Sequence, residues 1–364
     1  MDASIRNERD LSSFFALGIE GSANKLGIAV VRGDGVLLSN VRRTYSPPDG
    51  EGFLPRHVAK HHRENMASLL NEALTTAGID IDRISLICYT RGPGMGSALH
   101  VGALAAKTIH FMTDAPIVPV NHCVGHIEMG RFLSGYRRPV VLYVSGGNTQ
   151  ILAYDKKRQV YAIMGETLDI AAGNVLDRLA RLLGLPNKPS PGLSIELAAR
   201  EKGAKLIHLP YIVKGMDCCL SGMLTYCEQL IEKNKTMLTL GRISEDDYRA
   251  FVNDLCFSVQ EHMFATLVEI TERAMALMDA NELLVVGGVG CNLRLQTMAQ
   301  KMASDRGAKL YPMDERYCID NGAMIAFTGL SDYLYGGGSD SVLQPKDVTI
   351  SQRYRTDQCR ATWI

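Results

Sequence analysis

The chain contains 364 residues, 46% of them hydrophobic, which is enough to bury a full core in one large or two medium domains. Its 39 Lys and Arg residues balance 39 Asp and Glu residues, so the formal net charge is zero. This balance argues against a protein that binds nucleic acid through overall charge alone. If RNA is a substrate, a local basic patch or partner proteins must supply part of the attraction.

Cysteine content and hydropathy indicate the cellular compartment in which the protein resides. Nine cysteines without a CxxC pair fit a reducing compartment better than a secreted disulfide scaffold. No window approaches ~18 consecutive apolar residues, so we expect no membrane span. We therefore expect a protein of the cytoplasm, with the nucleus as a second candidate compartment.

Two segments of the chain share one pattern of predicted strands and turns. After a polar N-terminal tail, residues 1–15, the stretch FALGIEGSANKLGIAVVRGDGVLLSNV predicts three strands separated by tight turns. The stretch RPVVLYVSGGNTQILAYDKKRQVYAIM, residues 138–164, repeats that pattern. Because helices and further strands follow each of these meanders, we predict the α/β class, with two halves of the same topology.

The remaining elements divide the chain into two predicted lobes. An amphipathic helix over residues 57–77, a buried strand, a helix and a short strand lead to the segment NHCVGHIEMGR. We expect the first lobe over residues 16–136 and the second over residues 137–345. Residues 186–235, richer in Pro, Gly and Ser, are interpreted as an insertion that covers the cleft. Residues 346–364 form a polar tail that docks as an extended segment or stays mobile.

Two histidines in NHCVGHIEMGR are the first candidate metal ligands. His122 and His126 stand four apart, and on a helix this spacing brings both rings to one face. The motif is not HExxH, because Cys123 occupies the position of the metalloprotease glutamate. The best third ligand is Asp320, at the predicted start of a helix, although simple N-capping is the alternative. Two imidazoles and one carboxylate with open positions suit iron(II) or zinc.

The stretch RHVAKHH contains a second HxxxH, formed by His57 and His61. Arg56, Lys60 and Arg63 surround it, and a cationic neighbourhood disfavours binding of a further cation. We therefore expect these histidines to form a solvated or structural helix face.

Three glycine turns follow apolar strands: GIEGSANK, YVSGGNT and VVGGVGCN. Such turns bring backbone N–H groups close to a ligand and favour phosphate oxygens. None is a Walker A loop or a clean GxGxxG, yet three in a duplicated α/β chain indicate the actin, sugar kinase and heat-shock ATPase superfold. Asp177 and Glu196, near Gly192, are either contacts to ribose hydroxyls or solvated helix carboxylates.

Together these stretches resemble one family. NHCVGHIEMGR, YVSGGNTQ, GETLDIAAGNVLDR, PSPG, VKGMDCCLSG, VGGVGCNLRLQ, DERYCIDNGAMIA and SQRYRTD resemble the threonylcarbamoyl transferase subunit of the eukaryotic and archaeal KEOPS complex, formerly labelled O-sialoglycoprotein endopeptidase. The similarity runs over residues 16–357. It departs at Asp217-Cys218-Cys219-Leu220-Ser221-Gly222, where the family usually has Asp-x-Ser-Phe-Ser-Gly.

The resemblance implies roles for individual residues. The implied metal ligands, for one iron or zinc ion per subunit, are His122, His126 and Asp320, with Tyr143 as an additional ligand. The implied substrate-phosphate contact is the turn Tyr143, Val144, Ser145, Gly146 and Gly147. The implied nucleotide contacts are Asp177, Gly192, Glu196 and Asn292. No general base is identified, and the candidates near the first hairpin turn are Glu20 and Lys25.

The implied reaction transfers the threonylcarbamoyl group from threonylcarbamoyl-AMP to the N6 amine of the adenosine adjacent to the anticodon, in tRNAs that read ANN codons. The implied partners are tRNA and KEOPS subunits, including a small atypical protein kinase and a small dimerising subunit. Three other functions are alternatives to this transferase: an ATPase or small-molecule kinase of the same superfold, a metalloprotease, and a non-catalytic scaffold of the complex.

Overall fold

A computed structural model describes residues 11–311 and 313–364, so most of the predicted N-terminal tail lies outside the described residues. No helix in the described part of the chain has the length and apolar character needed to span a membrane. The chain divides into two compact units. Unit 1 takes in the described residues up to Tyr45, Leu54–Met129 and Asp320–Ile364, and unit 2 takes in Ser46–Phe53 and Gly130–Ile319.

Unit 1 is built on a five-stranded sheet with the order β3-β2-β1-β4-β5. Its strands are β1 (Phe15–Glu20), β2 (Lys25–Arg32), β3 (Leu37–Thr44), β4 (Leu86–Gly92) and β5 (Ile117–Asn121). Helices α1 (Pro55–Ala77) and α2 (Gly96–Thr113) belong to this unit, and α3 (His122–Ser134) begins in it. The helix predicted over residues 57–77 therefore begins two residues earlier, because Pro55 is favourable in the first turn.

Unit 2 is built on a second five-stranded sheet, with the order β12-β11-β6-β7-β8. Its strands are β6 (Val140–Val144), β7 (Thr149–Asp155), β8 (Val160–Glu166), β11 (Glu282–Val286) and β12 (Lys309–Tyr311), and a separate hairpin pairs β9 (Val213–Lys214) with β10 (Asp217–Cys218). Its helices are α4 (Ala172–Leu183), α5 (Pro191–Ala199), α6 (Ser221–Thr239), α7 (Glu245–Leu277), α8 (Leu293–Asp305) and α9 (Glu315–Cys318).

The two sheets repeat one topology. In unit 1, β1, β2 and β3 form an antiparallel meander, and β4 and β5 join it in parallel beside β1. In unit 2, β6, β7 and β8 form the meander, and β11 and β12 join in parallel beside β6. Short turns permit antiparallel pairing, whereas parallel neighbours need helical crossovers. The predicted duplicated α/β fold is thus confirmed.

The division of the chain differs from the predicted one at several places. Ser46–Phe53 and residues 130–136 were assigned to the first lobe, but they belong to unit 2. Residues 320–345 were assigned to the second lobe, but they belong to unit 1, together with the tail. The reason is α10 (Gly322–Tyr335), whose apolar residues pack on β1 and β2 of that unit. The predicted insertion over residues 186–235 corresponds to α5, the β9–β10 hairpin and most of α6.

Gly18 on β1 permits this close packing. A Cβ at Gly18 would lie 2.2 Å from the carbonyl oxygen of Gly322 and 2.5 Å from the amide nitrogen of Ala326. Because backbone atoms cannot move aside cheaply, Gly18→Ala is expected to lower the free energy of unfolding by ~3 kcal/mol. Urea denaturation measures this change. Gly222→Ala, where an added Cβ meets nothing within 4 Å, is the control and should stay within ~1 kcal/mol of the parent.

Candidate metal centre and active site

Asn121 determines where the histidine helix begins. Its side-chain Oδ1 accepts hydrogen bonds from the amides of Cys123, at 2.9 Å, and Val124, at 3.2 Å. Such a cap fixes the first turn of α3 directly after β5. His122 therefore lies in the first turn and His126 one turn later, with ring centroids 4.8 Å apart. Both side chains are buried.

Asp320 reaches the same two rings from a distant part of the chain. Its Oδ1 lies 3.1 Å from Nε2 of His126 and 3.6 Å from Nε2 of His122. Asn321, not Asp320, caps α10, because its Oδ1 accepts the amide of Met324. The Asp320 carboxylate is therefore not used in capping and faces the imidazoles. Among the residues that the structure describes, these three form the only group of His, Cys, Asp or Glu side chains that could hold a metal ion, with all three ligand atoms within 4.8 Å of one another.

The protonation states of Asp320 and His126 suit metal binding. Burial would raise the pKa of Asp320, but Lys25, His126 and His122 hold it well below its usual value, so the group is a carboxylate. Burial also lowers the pKa of His126, and a neutral imidazole has a lone pair for a metal. Two imidazole nitrogens and one carboxylate oxygen are a donor set that fits iron(II) or zinc. These residues could therefore hold a divalent ion.

Glu20 contacts the Nδ1 side of the His122 ring. The carboxylate is fully buried and accepts hydrogen bonds from the amide of Ser22, at 2.7 Å, and the hydroxyls of Ser22, at 2.5 Å, and Thr90, at 2.6 Å. Its Oε2 also lies 3.0 Å from Nδ1 of His122. Burial would lower the pKa of His122, yet the adjacent Glu20 raises it. Because an ionised carboxylate only accepts hydrogen bonds, the Glu20 contact favours a proton on Nδ1 of His122, and Nε2 faces Asp320.

Lys25 lies beside the cluster at the start of β2. Its ammonium is 3.6 Å from Oδ2 of Asp320 and 3.2 Å from Oδ1 of Asn24. The Lys25 side chain is 22% exposed. Of the residues in this cluster, Lys25 is the one that solvent or a substrate reaches most readily.

The histidines of α1 form a different arrangement. Nδ1 of His61 lies 3.2 Å from Nδ1 of His62, and the hydroxyl of Tyr45 lies 3.5 Å from Nδ1 of His57. Burial and the neighbouring His61 lower the pKa of His62 to about 4. These contacts form a cluster of aromatic rings at α1.

In unit 2, the turn after β6 has an open side. The amide of Ser145 donates to the carbonyl of Asn148 at 2.8 Å, which closes the turn. A Cβ at Gly146 or Gly147 would meet nothing within 4 Å, and neither residue has a left-handed φ. A Cβ at Gly173, on the first turn of α4, would lie 2.6 Å from the Ser145 carbonyl. The turn is thus packed on one side, and its glycines leave free space on the other.

Two other predicted nucleotide contacts come together in unit 2. The Glu196 Oε1 accepts the amide of Leu293 at 3.0 Å, next to Asn292. Asn292 caps α8 through its Oδ1 and donates from Nδ2 to Gln260 at 2.6 Å. A pocket of ≈ 370 Å³ is lined in part by Glu196 and Gln260. The structure therefore brings Glu196 and Asn292 to one place, at the N-terminus of α8.

The other predicted residues of unit 2 occupy separate elements. Tyr143 and Val144 are buried on β6, and Gly287 packs against the Tyr143 ring. Asp177 lies half-buried on α4. Gly192 lies in the first turn of α5, where an added Cβ meets nothing within 4 Å.

Comparison with known proteins decides the family. The family model described as "TsaD: tRNA N6-adenosine threonylcarbamoyltransferase" matches residues 36–327. A probable tRNA N6-adenosine threonylcarbamoyltransferase of Drosophila melanogaster is 52% identical over 96% of this chain and 98% of its own length. The enzyme of Homo sapiens is 52% identical over 95% of this chain and 98% of its own length. The chain belongs to the tRNA N6-adenosine threonylcarbamoyltransferase family.

Solved structures with low sequence identity support the fold. The phosphate- and nucleotide-bound form of HypF superposes with a TM-score of 0.57 at 10% identity, over 89% of this chain and 56% of that one. Component A of the Acidaminococcus fermentans (R)-2-hydroxyglutaryl-CoA dehydratase gives 0.50 at 11% identity, over 88% of this chain and 98% of that one. These matches confirm the predicted actin-like α/β fold.

Family membership also settles the class of reaction. The chain is an enzyme, a tRNA N6-adenosine threonylcarbamoyltransferase, and its substrate is tRNA. The predicted resemblance is thereby confirmed. The alternatives of ATPase, small-molecule kinase, metalloprotease and silent scaffold receive no support from these comparisons.

Several supporting residues were not predicted from the sequence. Ser22 and Thr90 bind Glu20, and Gln260 binds Asn292. The caps Asn121 and Asn321 had a usable signal, since each asparagine directly precedes a helix. Gln260 had none, because it is one buried position within the long helix α7.

Proposed function

We propose that the chain transfers threonylcarbamoyl from threonylcarbamoyl-AMP to the N6 amine of the adenosine adjacent to the anticodon, in tRNAs that read ANN codons. We further propose that one divalent ion, iron(II) or zinc, bound by His122, His126 and Asp320, takes part. The observation that carries the metal is the convergence of these ligand atoms within 4.8 Å. When bound, the ion would supply Lewis-acid chemistry for phosphate or carbamoyl oxygens.

Unit 2 is proposed to bind the adenylate. The amides of Ser145, Gly146 and Gly147 suit the phosphate, because the open glycine side admits a ligand close to the backbone. Glu196 uses Oε1 for Leu293 and Arg200, and we assign its carboxylate a contact with the ribose hydroxyls. The further proposed contacts, from the family pattern, are Tyr143, Val144, Asp177, Gly192 and Asn292, with Tyr143 also proposed as an additional metal ligand.

Asn292 is proposed to act through its backbone or by positioning Gln260. Its side-chain oxygen already accepts two amides of α8, and its Nδ2 donates to Gln260. These bonds leave the side chain little capacity for a ligand.

The proposed step is acyl transfer. The N6 nitrogen attacks the carbamoyl carbon, a C–N bond forms, and the bond from that carbon to the phosphate oxygen breaks. AMP leaves with that oxygen, and the amine loses one proton. Because an aromatic amine is a weak nucleophile, we expect correct positioning of the reactants to supply much of the acceleration.

Neither base candidate is well placed to accept that proton. Glu20 is fully buried, and its oxygens are engaged by Ser22, Thr90 and His122. Lys25 is ion-paired with Asp320, which suits contact with an anionic substrate. We therefore propose Glu20 as a positioning residue for His122 and Lys25 as an electrostatic contact.

Glu20→Gln tests this assignment. The amide can no longer act as a charged acceptor for Nδ1 of His122, so zinc affinity is expected to fall roughly 10- to 100-fold. Competition with a chromophoric chelator measures the change. Glu64→Gln, at an exposed carboxylate of α1, should leave the affinity unaltered. Unchanged zinc affinity combined with loss of one limb of the pH–rate profile would instead make Glu20 the base.

We propose that the chain works with KEOPS subunits, including a small atypical protein kinase and a small dimerising subunit, in the cytoplasm, with the nucleus as a second candidate compartment. The zero net charge supports this, because partners would then supply basic surface for tRNA. The decisive assay combines the chain, these partners, threonylcarbamoyl-AMP and unmodified tRNA. We expect equal amounts of AMP and modified adenosine. Release of ADP from ATP without tRNA, and no modified adenosine, would contradict the proposal.

A further inference from the structure

The C-terminal residues 349–363, here called the strap, run along the metal-proximal elements of unit 1. The hydroxyl of Tyr89 donates to the carbonyl of Thr349 at 2.8 Å, and the amide of Ser351 donates to the carbonyl of Arg91 at 2.8 Å. These two hydrogen bonds hold the strap along the end of β4.

At its middle, the strap binds the residue that starts the histidine helix. Nδ2 of Asn121 donates to the carbonyls of Tyr354 and Arg355, each at 3.2 Å. The Oδ1 of the same amide caps α3. A single side chain thus joins the strap to the turn that carries His122.

At its end, the strap binds the same helix again. Nε1 of Trp363 donates to Oε2 of Glu128 at 2.8 Å. Glu128 is 7% exposed and follows His126 by two residues, and the neighbouring Ala361 is completely buried. Hydrogen bonds from the strap therefore lie on both sides of the two histidines along α3.

A third connection runs from the strap to the turn between β1 and β2, where Ser22 contacts His122. The amide of Gly94 donates to the carbonyl of Gln352, and the next amide, of Met95, donates to the carbonyl of Ser22 at 2.7 Å. The Ser22 hydroxyl lies 3.2 Å from Nδ1 of His122. Movement of the strap would thus disturb both α3 and the turn that supports His122.

We infer that the strap is a positioning element for the metal ligands. The Trp363–Glu128 hydrogen bond anchors its C-terminal end on α3. The inference rests on the proposed metal site. The strap itself supplies no ligand. Its contribution is to keep the two imidazoles converged on Asp320, because ligand orientation depends on the groups that hold the ligands in place.

Variants of the Trp363–Glu128 contact test the inference. Trp363→Phe keeps the aromatic ring and removes the donor, and Glu128→Ala removes the acceptor. Each is expected to weaken zinc binding by about 3- to 10-fold, less than loss of a group that touches a ligand. Glu128→Gln retains an acceptor oxygen and should restore most of the affinity. The double variant should bind zinc no more weakly than Glu128→Ala alone, because that change already removes the bond from Trp363. Tyr335→Phe, at an exposed hydroxyl, is the matched control.

Trp363 also gives a readout that does not depend on activity, since it is the only tryptophan of the chain. Glu128→Ala should shift its emission to longer wavelength as the indole becomes more exposed. His126→Ala should abolish zinc binding without this shift. A red shift with unchanged zinc affinity would overturn the inference. Failure of the parent chain to bind zinc, with normal emission, would overturn the proposed metal site and the inference with it.

Discussion

Replacing His126 with alanine is expected to remove the metal and to lower the rate of threonylcarbamoyl transfer by about a thousand-fold. The imidazole is completely buried and points its Nε2 at Asp320, so its loss takes away one of the three proposed ligands. Metal content by mass spectrometry and transfer to tRNA with partner subunits present measure the two effects. Metal and activity should be lost together.

The second HxxxH supplies the matched control for this experiment. His57→Ala removes an imidazole at the same spacing on α1, where its contact is the Tyr45 hydroxyl. This variant should retain metal and most of its activity. Full activity of His126→Ala after thorough chelation would mean that the reaction needs no ion at this site.

Gly146→Val is expected to reduce kcat/KM for threonylcarbamoyl-AMP by about a hundred-fold while leaving the fold intact. The Cβ position at Gly146 is empty within 4 Å and the residue does not have a left-handed φ, so the free energy of unfolding should change by no more than ~1 kcal/mol. The added side chain would occupy the space proposed for the phosphate. Steady-state kinetics and urea unfolding on one preparation separate the two effects.

Gly222→Val tests whether any branched side chain at an open glycine harms the enzyme. A Cβ added at Gly222 also meets nothing within 4 Å, but this residue lies on α6, outside the proposed site. The substitution should leave kcat/KM unaltered. Equal kinetics for Gly146→Val and the parent chain would exclude the turn from the phosphate site.

The local parts of the site were predictable from the sequence. The i, i+4 spacing places His122 and His126 on one helical face regardless of tertiary structure. The repeated pattern of three strands and tight turns likewise predicted two meanders, and the structure contains both. These features depend on residues close in the chain, where steric and hydrogen-bonding preferences act directly.

The long-range parts of the site were not predictable by spacing. Asp320 lies 194 residues from His126, and only the resemblance singled it out over simple capping. The engagement of Glu20 depends on Thr90 and His122, which are 70 and 102 residues away. Such contacts follow from tertiary packing, so the sequence left Glu20 as a candidate base and did not show that its oxygens are engaged.

The lobe boundary differed for a related physical reason. Hydrophobic periodicity shows that α10 is a buried helix, but it does not show which sheet buries it. The two sheets have the same topology, so either one could have accepted the helix. The structure shows Gly18 and Gly322 in close backbone contact, which requires both small residues and involves positions separated by most of the chain.

The most direct test of this account is a crystal structure of the active protein with diffraction data collected on both sides of the iron and zinc absorption edges. We predict one anomalous peak about 2.0–2.2 Å from Nε2 of His122, Nε2 of His126 and a carboxylate oxygen of Asp320. Absence of a peak there in a fully active preparation, or a peak held by other residues, would contradict it.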